Sequence, residues 1–155
     1  MSLQIGDPIP AFSLQADNGD TITQAALLGQ GPFVVYFYPF DNTPGCTAEA
    51  CTFRDQYEAF TDLGASVYGV SGDSIEKHVN FKERYRLPFT LLSDPGRQIT
   101  KAFGVKKRIG ILPGRVTFVF DSAGTLRHRF KSDTNMERHV TESLAAIKRL
   151  LDEGA

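Results

Sequence analysis

The sequence predicts an α/β fold in which a mixed central β-sheet is flanked by helices on both sides and preceded by a small N-terminal β-hairpin. Two apolar runs, Phe33–Tyr38 and Ala65–Ser71, lack alternation, as strands covered on both faces do. The segment between them, about 44–62, has helical length, and a crossover of that size favours parallel strands. From about Asn135, the residues Met136, Val140, Leu144, Ile147 and Leu151 recur at four- and three-residue steps, which predicts a closing helix with one apolar face.

The remaining elements follow in chain order. Residues 11–15 and Thr21–Thr23 alternate around Asp17-Asn18-Gly19-Asp20, and Asn-Gly is the favoured central pair of a two-residue hairpin turn. Pro39 ends the first buried strand. Ser74 reads as a helix N-cap, with Ile75, Val79 and Phe81 or Lys82 following before Tyr85, and Pro88 stops that helix. Thr90–Asp94 is a short strand with a turn at Asp94-Pro95-Gly96, and Gln98 to Phe103 makes one or two helical turns. Arg115–Phe120 and Thr125–Phe130 flank Asp121–Gly124 as an antiparallel hairpin, its second strand polar enough for a sheet edge. No repeat or long linker interrupts residues 1–155, which predicts a single domain.

Composition narrows the function. The 155 residues are 41% hydrophobic and 23% charged, ordinary globular values. A chain of this size buries roughly 68–70% of its unfolded surface, enough for a core of its own. Seventeen Lys and Arg against eighteen Asp and Glu leave a net charge of −1, without the basic footprint expected of a nucleic-acid or anionic-membrane binder. No apolar run approaches the ~20 residues of a membrane span. The first residues lack the basic start and apolar stretch of a signal peptide, so a cytoplasmic protein is expected. There is no phosphate-binding or dinucleotide-binding glycine pattern.

The only two cysteines, Cys46 and Cys51, lie five positions apart. A secreted disulfide scaffold would carry more, and zinc would want about four nitrogen or sulfur ligands. His78, His128 and His139 are far from the cysteines in sequence and show no nearby carboxylate pattern. Thr43-Pro44 reads as N-cap followed by N1, which puts Gly45 at N2 and Cys46 at N3 of a helix starting beyond a strand's carboxyl end. First-turn N–H groups have no intrahelical partner and favour an anion there. A free thiol has a pKa of ~8.5, which helix N-termini and nearby cations lower to ~3.5–7.5. Cys46 is therefore the candidate nucleophile, against the plainer reading of a small buried apolar residue.

Cys51 tests the geometry. Residues five apart on an ideal helix have Cα atoms ~8.7 Å apart, whereas a disulfide needs them within ~7 Å. If the two cysteines bridge, at least one turn must unwind; otherwise Cys51 only packs on the core face. An anionic sulfur attacking a group that develops oxyanion charge also wants a fixed cation, which arginine supplies. The candidates are Arg54, Arg84, Arg108 and Arg115. Arg54, two turns along the same helix, points away from the first turn, while Arg115 opens a strand that fits beside Phe33–Tyr38. Thr43 has two compatible tasks, capping the helix and hydrogen-bonding the sulfur or a substrate oxygen. Glu49 either complements the helix N-terminus and does no more, or instead relays a proton or orients the arginine. Lys106-Lys107-Arg108 reads as a solvated basic loop.

The run Pro39-Phe40-Asp41-Asn42-Thr43-Pro44-Gly45-Cys46-Thr47-Ala48-Glu49-Ala50-Cys51 resembles the active-site segment of the peroxiredoxins. The second cysteine five positions on resembles the Q-type, or bacterioferritin-comigratory-protein, branch. The likeness continues through 70–74, His78, Phe81 and 87–94, and into the strand from Gly114 to Asp121. It implies a thioredoxin-like fold and a thiol peroxidase acting on hydrogen peroxide and organic hydroperoxides, in antioxidant defence and redox homeostasis. It further implies that Cys46 is the peroxidatic cysteine and Cys51 the resolving one. Thr43 and Arg115 would polarise the peroxide, and Pro39 would shield the sulfur. Thioredoxin or a glutaredoxin would be the reductant, with no metal, flavin or haem, and a monomer is expected because the resolving cysteine lies in the same chain. Phe40 departs from the pattern, standing where this branch often has lysine. The alternatives are a thiol–disulfide oxidoreductase, which Cys-x-x-Cys spacing would favour, and a non-enzymatic chaperone or redox sensor.

Overall fold

The computed structural model describes residues 3–105, 115–132 and 134–153. The chain runs β1 (Ser13–Ala16), β2 (Thr21–Thr23), α1 (Gln24–Leu27), β3 (Phe33–Phe37), α2 (Pro44–Asp55) and α3 (Tyr57–Asp62). It continues with β4 (Ser66–Ser71), α4 (Ile75–Tyr85), β5 (Thr90–Ser93), α5 (Gln98–Ala102), β6 (Val116–Phe120), β7 (Leu126–Lys131) and α6 (Met136–Asp152). The strands form one sheet in the order β2-β1-β5-β4-β3-β6-β7. β3 pairs parallel with β4 and β4 with β5, as the long crossovers require, while β6 joins β3 antiparallel.

β3 shows why its residues read as an unbroken apolar run. Val34, Tyr36 and Tyr38 enter a core with Phe53, Phe60, Phe81, Val140 and Ile147, which come from α2, α3, α4 and α6. Phe33, Val35 and Phe37 point the other way, into a second core with Leu27, Phe103, Phe118 and Phe120. The two-residue period of a strand thus serves two cores at once. The same alternation in β6 sends Val116, Phe118 and Phe120 to the second core and Val119 to the first. Since Phe37 pairs with Val116, Arg115 stands one step beyond that pair, at the end of the sheet where α2 begins.

The structure revises three local expectations. The first hairpin forms, but with a three-residue loop. The Gly19 N–H donates to the Ala16 carbonyl at 2.9 Å and the Ala16 N–H to the Asp20 carbonyl at 2.8 Å. Only Gly19 takes the left-handed backbone (φ 90°). A two-residue Asn-Gly turn would need Asn18 there too; a single left-handed glycine suffices for the longer loop. The segment 44–62 divides at Gln56 (φ −103°, ψ 6°) into α2 and α3, a break that lets Tyr57 and Phe60 reach the rings of Phe89 and Phe53. α6 buries Val140, Ser143, Ala146, Ile147 and Leu150, whereas Leu151 is exposed. Its 3.6-residue period turns the buried stripe away from the last expected position.

Ser74 and Asn135 cap α4 and α6, accepting from the N–H groups of Lys77 and Arg138. β7 lies at the sheet edge, as its polarity predicts.

Candidate active site

Pro44 opens α2 with Thr43 in extended conformation before it, so Cys46 occupies the first turn. Cys46 is buried, with 1% of its surface exposed. The Arg115 Nη1 donates to Cys46 Sγ at 2.9 Å, a contact between residues 69 positions apart. Gly45 makes room for it: a Cβ there would lie 2.7 Å from Arg115 Nη2. The small residue in the first turn is a requirement of the guanidinium's approach, which its position beside Cys46 in the sequence does not reveal.

Thr43 does not cap. Its side chain makes no cap hydrogen bond; the hydroxyl donates instead to the Phe40 carbonyl at 3.0 Å. The same hydroxyl also hydrogen-bonds Cys46, as does the backbone at Phe40. A hydroxyl carries one proton and two lone pairs, so a single Thr43 oxygen has capacity for both the sulfur and the turn.

The expected net lowering of the thiol's pKa is not found in this closed arrangement. Burial pushes the Cys46 thiol up, and the hydrogen bonds from Thr43 and Phe40 and the Arg115 charge only partly bring it back. The physical reason is desolvation: a sulfur cut off from water loses anion stabilisation that these hydrogen bonds and the guanidinium charge only partly restore. Charge on this sulfur depends on Thr43, Phe40 and Arg115, and Arg115 is shared with Glu49.

Glu49 lies fully buried on α2 between the two cysteines. One carboxylate oxygen is 3.6 Å from Arg115 Nη1 and the other 3.5 Å from His139 Nδ1. Both distances exceed hydrogen-bond length, and neither oxygen has a hydrogen-bond partner. Burial raises its pKa to about 8 despite Arg115, which pulls it down. Near neutral pH the carboxyl is therefore largely protonated, and it leaves the Arg115 charge to the sulfur. Once ionised, it competes for that charge. His139 is held from behind: Nε2 donates to the Ser132 carbonyl at 2.7 Å, and Nδ1 meets Thr117 Oγ1 at 2.7 Å. A carbonyl only accepts, so Nε2 carries a hydrogen, while the Thr117 hydroxyl can donate to or accept from Nδ1.

Cys51 is half-buried further along α2, and both thiols are free. α2 is continuous through both cysteines, so the ideal-helix separation of ~8.7 Å between their Cα atoms stands. Pro39 is buried, and its carbonyl accepts from Arg97 Nη2 at 3.2 Å. Arg97 also stacks over the Phe40 ring, 5.0 Å from its centroid. Arg54 donates to the Tyr85 carbonyl and to Asp55, and Arg84 lies over Tyr85, so neither enters this group. Arg108 and the Lys106–Arg108 triplet lie outside the described residues.

The sequence shows no carboxylate pattern near any histidine, yet the fold brings a distant carboxylate to each of the three. His78 meets Asp41 at 2.6 Å, His128 meets Glu142 at 3.0 Å and His139 meets Glu49 at 3.5 Å. These partners are 37, 14 and 90 positions apart, beyond any local spacing rule. Asp41, Asp73 and His78 also bring three potential metal donors within 4.8 Å of one another. Hydrogen bonds of 2.6–2.8 Å already tie Asp41 to His78 and Tyr38, and Asp73 to Ser71 and the Asp41 N–H. The group reads as a proton-sharing network.

A thiol in a helix first turn, at the end of a mixed sheet and under a buried arginine, defines a class, and comparison with known proteins gives it a family. The AhpC/TSA family profile matches residues 5–129; the chain belongs to the AhpC/TSA family. Within it, the similarity runs to the peroxiredoxin Q branch. The chain is 45% identical over 146 residues to the chloroplastic peroxiredoxin Q of Populus jackii, covering 94% of this chain and 68% of that protein. Peroxidoxin BcpB of Mycobacterium tuberculosis superimposes with a TM-score of 0.88 at 35% identity, over 96% of this chain and 98% of that one. The bacterioferritin comigratory protein of Xanthomonas campestris, described for its alkyl peroxide reduction activity, superimposes with a TM-score of 0.83 at 32% identity, over 90% and 91% of the two chains. Among the described residues no helix is long and apolar enough to cross a membrane.

Proposed function

We propose that this protein is a thiol peroxidase that reduces hydroperoxides through Cys46. The observation that carries the reading is the 2.9 Å contact from Arg115 to Cys46 Sγ in the first turn of α2. In the first step the Cys46 thiolate attacks one peroxide oxygen; an S–O bond forms, the O–O bond breaks, and the departing oxygen takes a proton and leaves as water or an alcohol. Arg115 and Thr43 suit this step because both donate towards the place where negative charge moves from sulfur to oxygen. The sulfur is then a sulfenic acid.

In the second step Cys51 attacks that sulfur, an S–S bond forms and water leaves. α2 must unwind for the two Cα atoms to approach within ~7 Å. An external dithiol then reduces the disulfide by exchange through a mixed disulfide. Thioredoxin or a glutaredoxin fits as that dithiol, and a monomer suffices because both sulfurs come from one chain.

The test is peroxide consumption coupled to thioredoxin and its reductase. Cys46→Ser abolishes turnover, whereas Cys51→Ser consumes one equivalent of peroxide and then stops. Full activity in Cys46→Ser would overturn the reading. Continued thioredoxin-coupled cycling in Cys51→Ser would reassign resolution to the external dithiol.

A further inference from the structure

We propose that His78 and Asp41 are positioning residues for the peroxide reaction. They share a single proton that pins the loop from Pro39 to Thr43, and with it the Phe40 and Thr43 groups that serve Cys46. This rests on the thiol-peroxidase reading and names residues that act through the loop without touching the sulfur.

The loop joins β3 to α2 and has little regular structure of its own to hold it; Asn42 even takes a left-handed backbone (φ 63°). What fixes it is Asp41. Its N–H donates to Asp73 Oδ2 at 2.7 Å, and its Oδ1 accepts from the Tyr38 hydroxyl at 2.6 Å. Its Oδ2 lies 2.6 Å from His78 Nδ1, on α4. Asp73 is itself held by the Ser71 hydroxyl at 2.8 Å. All of these residues are buried, and His78 is wholly inaccessible.

The proton count follows from the partners. His78 Nε2 lies 2.9 Å from the Leu92 carbonyl, which only accepts, so Nε2 carries a hydrogen. One further proton must then lie between Nδ1 and Asp41 Oδ2, because without it two lone pairs would face each other at 2.6 Å. The pair is an imidazolium and a carboxylate, or their neutral equivalents, and it ties α4 and β5 to the active-site loop.

The titratable groups facing His78 are Asp41 from the loop and Asp73 from the β4–α4 connection, with Tyr38 behind Asp41. Burial pulls His78 down. The hydrogen bond and charge of Asp41, the Leu92 carbonyl and the Asp73 charge outweigh it, so the net direction is up from the ordinary 6.5. Burial and Asp41 hold Tyr38 well above 10, so it remains a donor throughout. As pH rises through the folded value for His78, the shared proton is lost and the loop loosens.

The experiment is the second-order rate of the reduced protein with hydrogen peroxide, followed against pH by single-turnover mixing in wild type, His78→Gln and Asp41→Asn. A plain thiol reacts faster as pH rises. Wild type instead turns downward on the alkaline side. All three are compared in a Glu49→Gln background, which removes the competing carboxylate that ionises at about 8; there His78→Gln loses about tenfold or more of the rate, the scale of a hydrogen bond to a charged group, and has no alkaline fall. Asp41→Asn is the conservative rescue: its amide can donate to an unprotonated Nδ1 while its carbonyl still accepts from Tyr38. It retains the alkaline rate and loses rate on the acid side, where protonated Nδ1 would face the amide hydrogens. An inverted pH profile is something a merely structural role would not produce. If His78→Gln does not fold, Asp41→Asn decides. A wild-type profile in either variant overturns the proposal, and zero peroxide reactivity in wild type at every pH would instead sink the peroxidase reading.

Discussion

Two buried acid–histidine pairs flank the same cysteine and are built on opposite plans. At Asp41 and His78 both carboxylate oxygens and both ring nitrogens have hydrogen-bond partners, at 2.6–2.9 Å. At Glu49 and His139 the ring is well held by Thr117 and Ser132, but neither carboxylate oxygen has a hydrogen bond. A buried charge is tolerated when its hydrogen bonds are complete and costly when they are not. The first pair holds its shared proton and anchors a loop; the second raises Glu49 to about 8 and keeps it protonated near neutral pH. The placement matches the chemistry. Asp41 sits in a loop that must hold still, and Glu49 sits in the helix that must open before Cys51 can reach Cys46.

The sharpest way to break this contrast is Glu49→Gln. Glu49's folded pKa of about 8 lies above its ordinary 4.5, so the folded state keeps a proton that the unfolded chain releases. Stability from this group is whole below pH 4.5 and falls as pH rises to about 8, then levels off. At about 1.4 kcal/mol per unit the upper limit of that loss is roughly 4–5 kcal/mol. Urea unfolding at pH 5 and pH 8.5 should show the decline in wild type and a much smaller one in Glu49→Gln; equal slopes would place its source elsewhere. Amide exchange in α2 should quicken with pH, beyond the ordinary chemical dependence, in wild type only. Rising pH thereby favours the unwinding that disulfide formation requires.

A smaller effect is expected at Gly45→Ala. Alanine is the better helix former by up to ~1 kcal/mol, so stability should hold or rise. Its methyl nonetheless enters the space of the Arg115 guanidinium, 2.7 Å from Nη2. The rate with peroxide should drop about tenfold, or about 1.4 kcal/mol of barrier. An unchanged rate would mean that Arg115 need not sit where it does. Smallest of all is Phe40→Lys, which replaces the ring under Arg97 by a like charge. It should cost about 0.5–1 kcal/mol of thermal stability, as an exposed cation–ring contact does. It should leave the peroxide rate within a few-fold of wild type, because Asp41 rather than Arg97 carries the loop. A larger fall in that rate would narrow the contrast between the Asp41 anchor and its surroundings.

Much of the fold was legible because it depends on short-range pattern. The aromatic and β-branched run of Phe33–Tyr38 reads as a doubly covered strand, and Val34 and Val35 do point into separate cores. Thr43-Pro44 marks the start of α2, which places Cys46 in the first turn without knowledge of any contact. Local signals blur where two solutions are close in energy. Asn18-Gly19 suits either of two hairpin loops, and the helical stretch 44–62 could run unbroken until the rings of Tyr57 and Phe60 turned it at Gln56.

Chain order alone determined the strand and helix identities, the helix-start position of one thiol and the five-residue gap that forbids a disulfide in an intact helix; these follow from backbone periods and steric preferences acting within a few residues. Tertiary structure decided what each side chain meets. It gave Thr43 a carbonyl instead of a cap, paired three histidines with distant carboxylates, and closed the sulfur off from water so that burial outweighs its hydrogen bonds and the Arg115 charge. Proton affinities depend on solvent exclusion and on charges brought together across the sheet, and neither exists until the chain has folded.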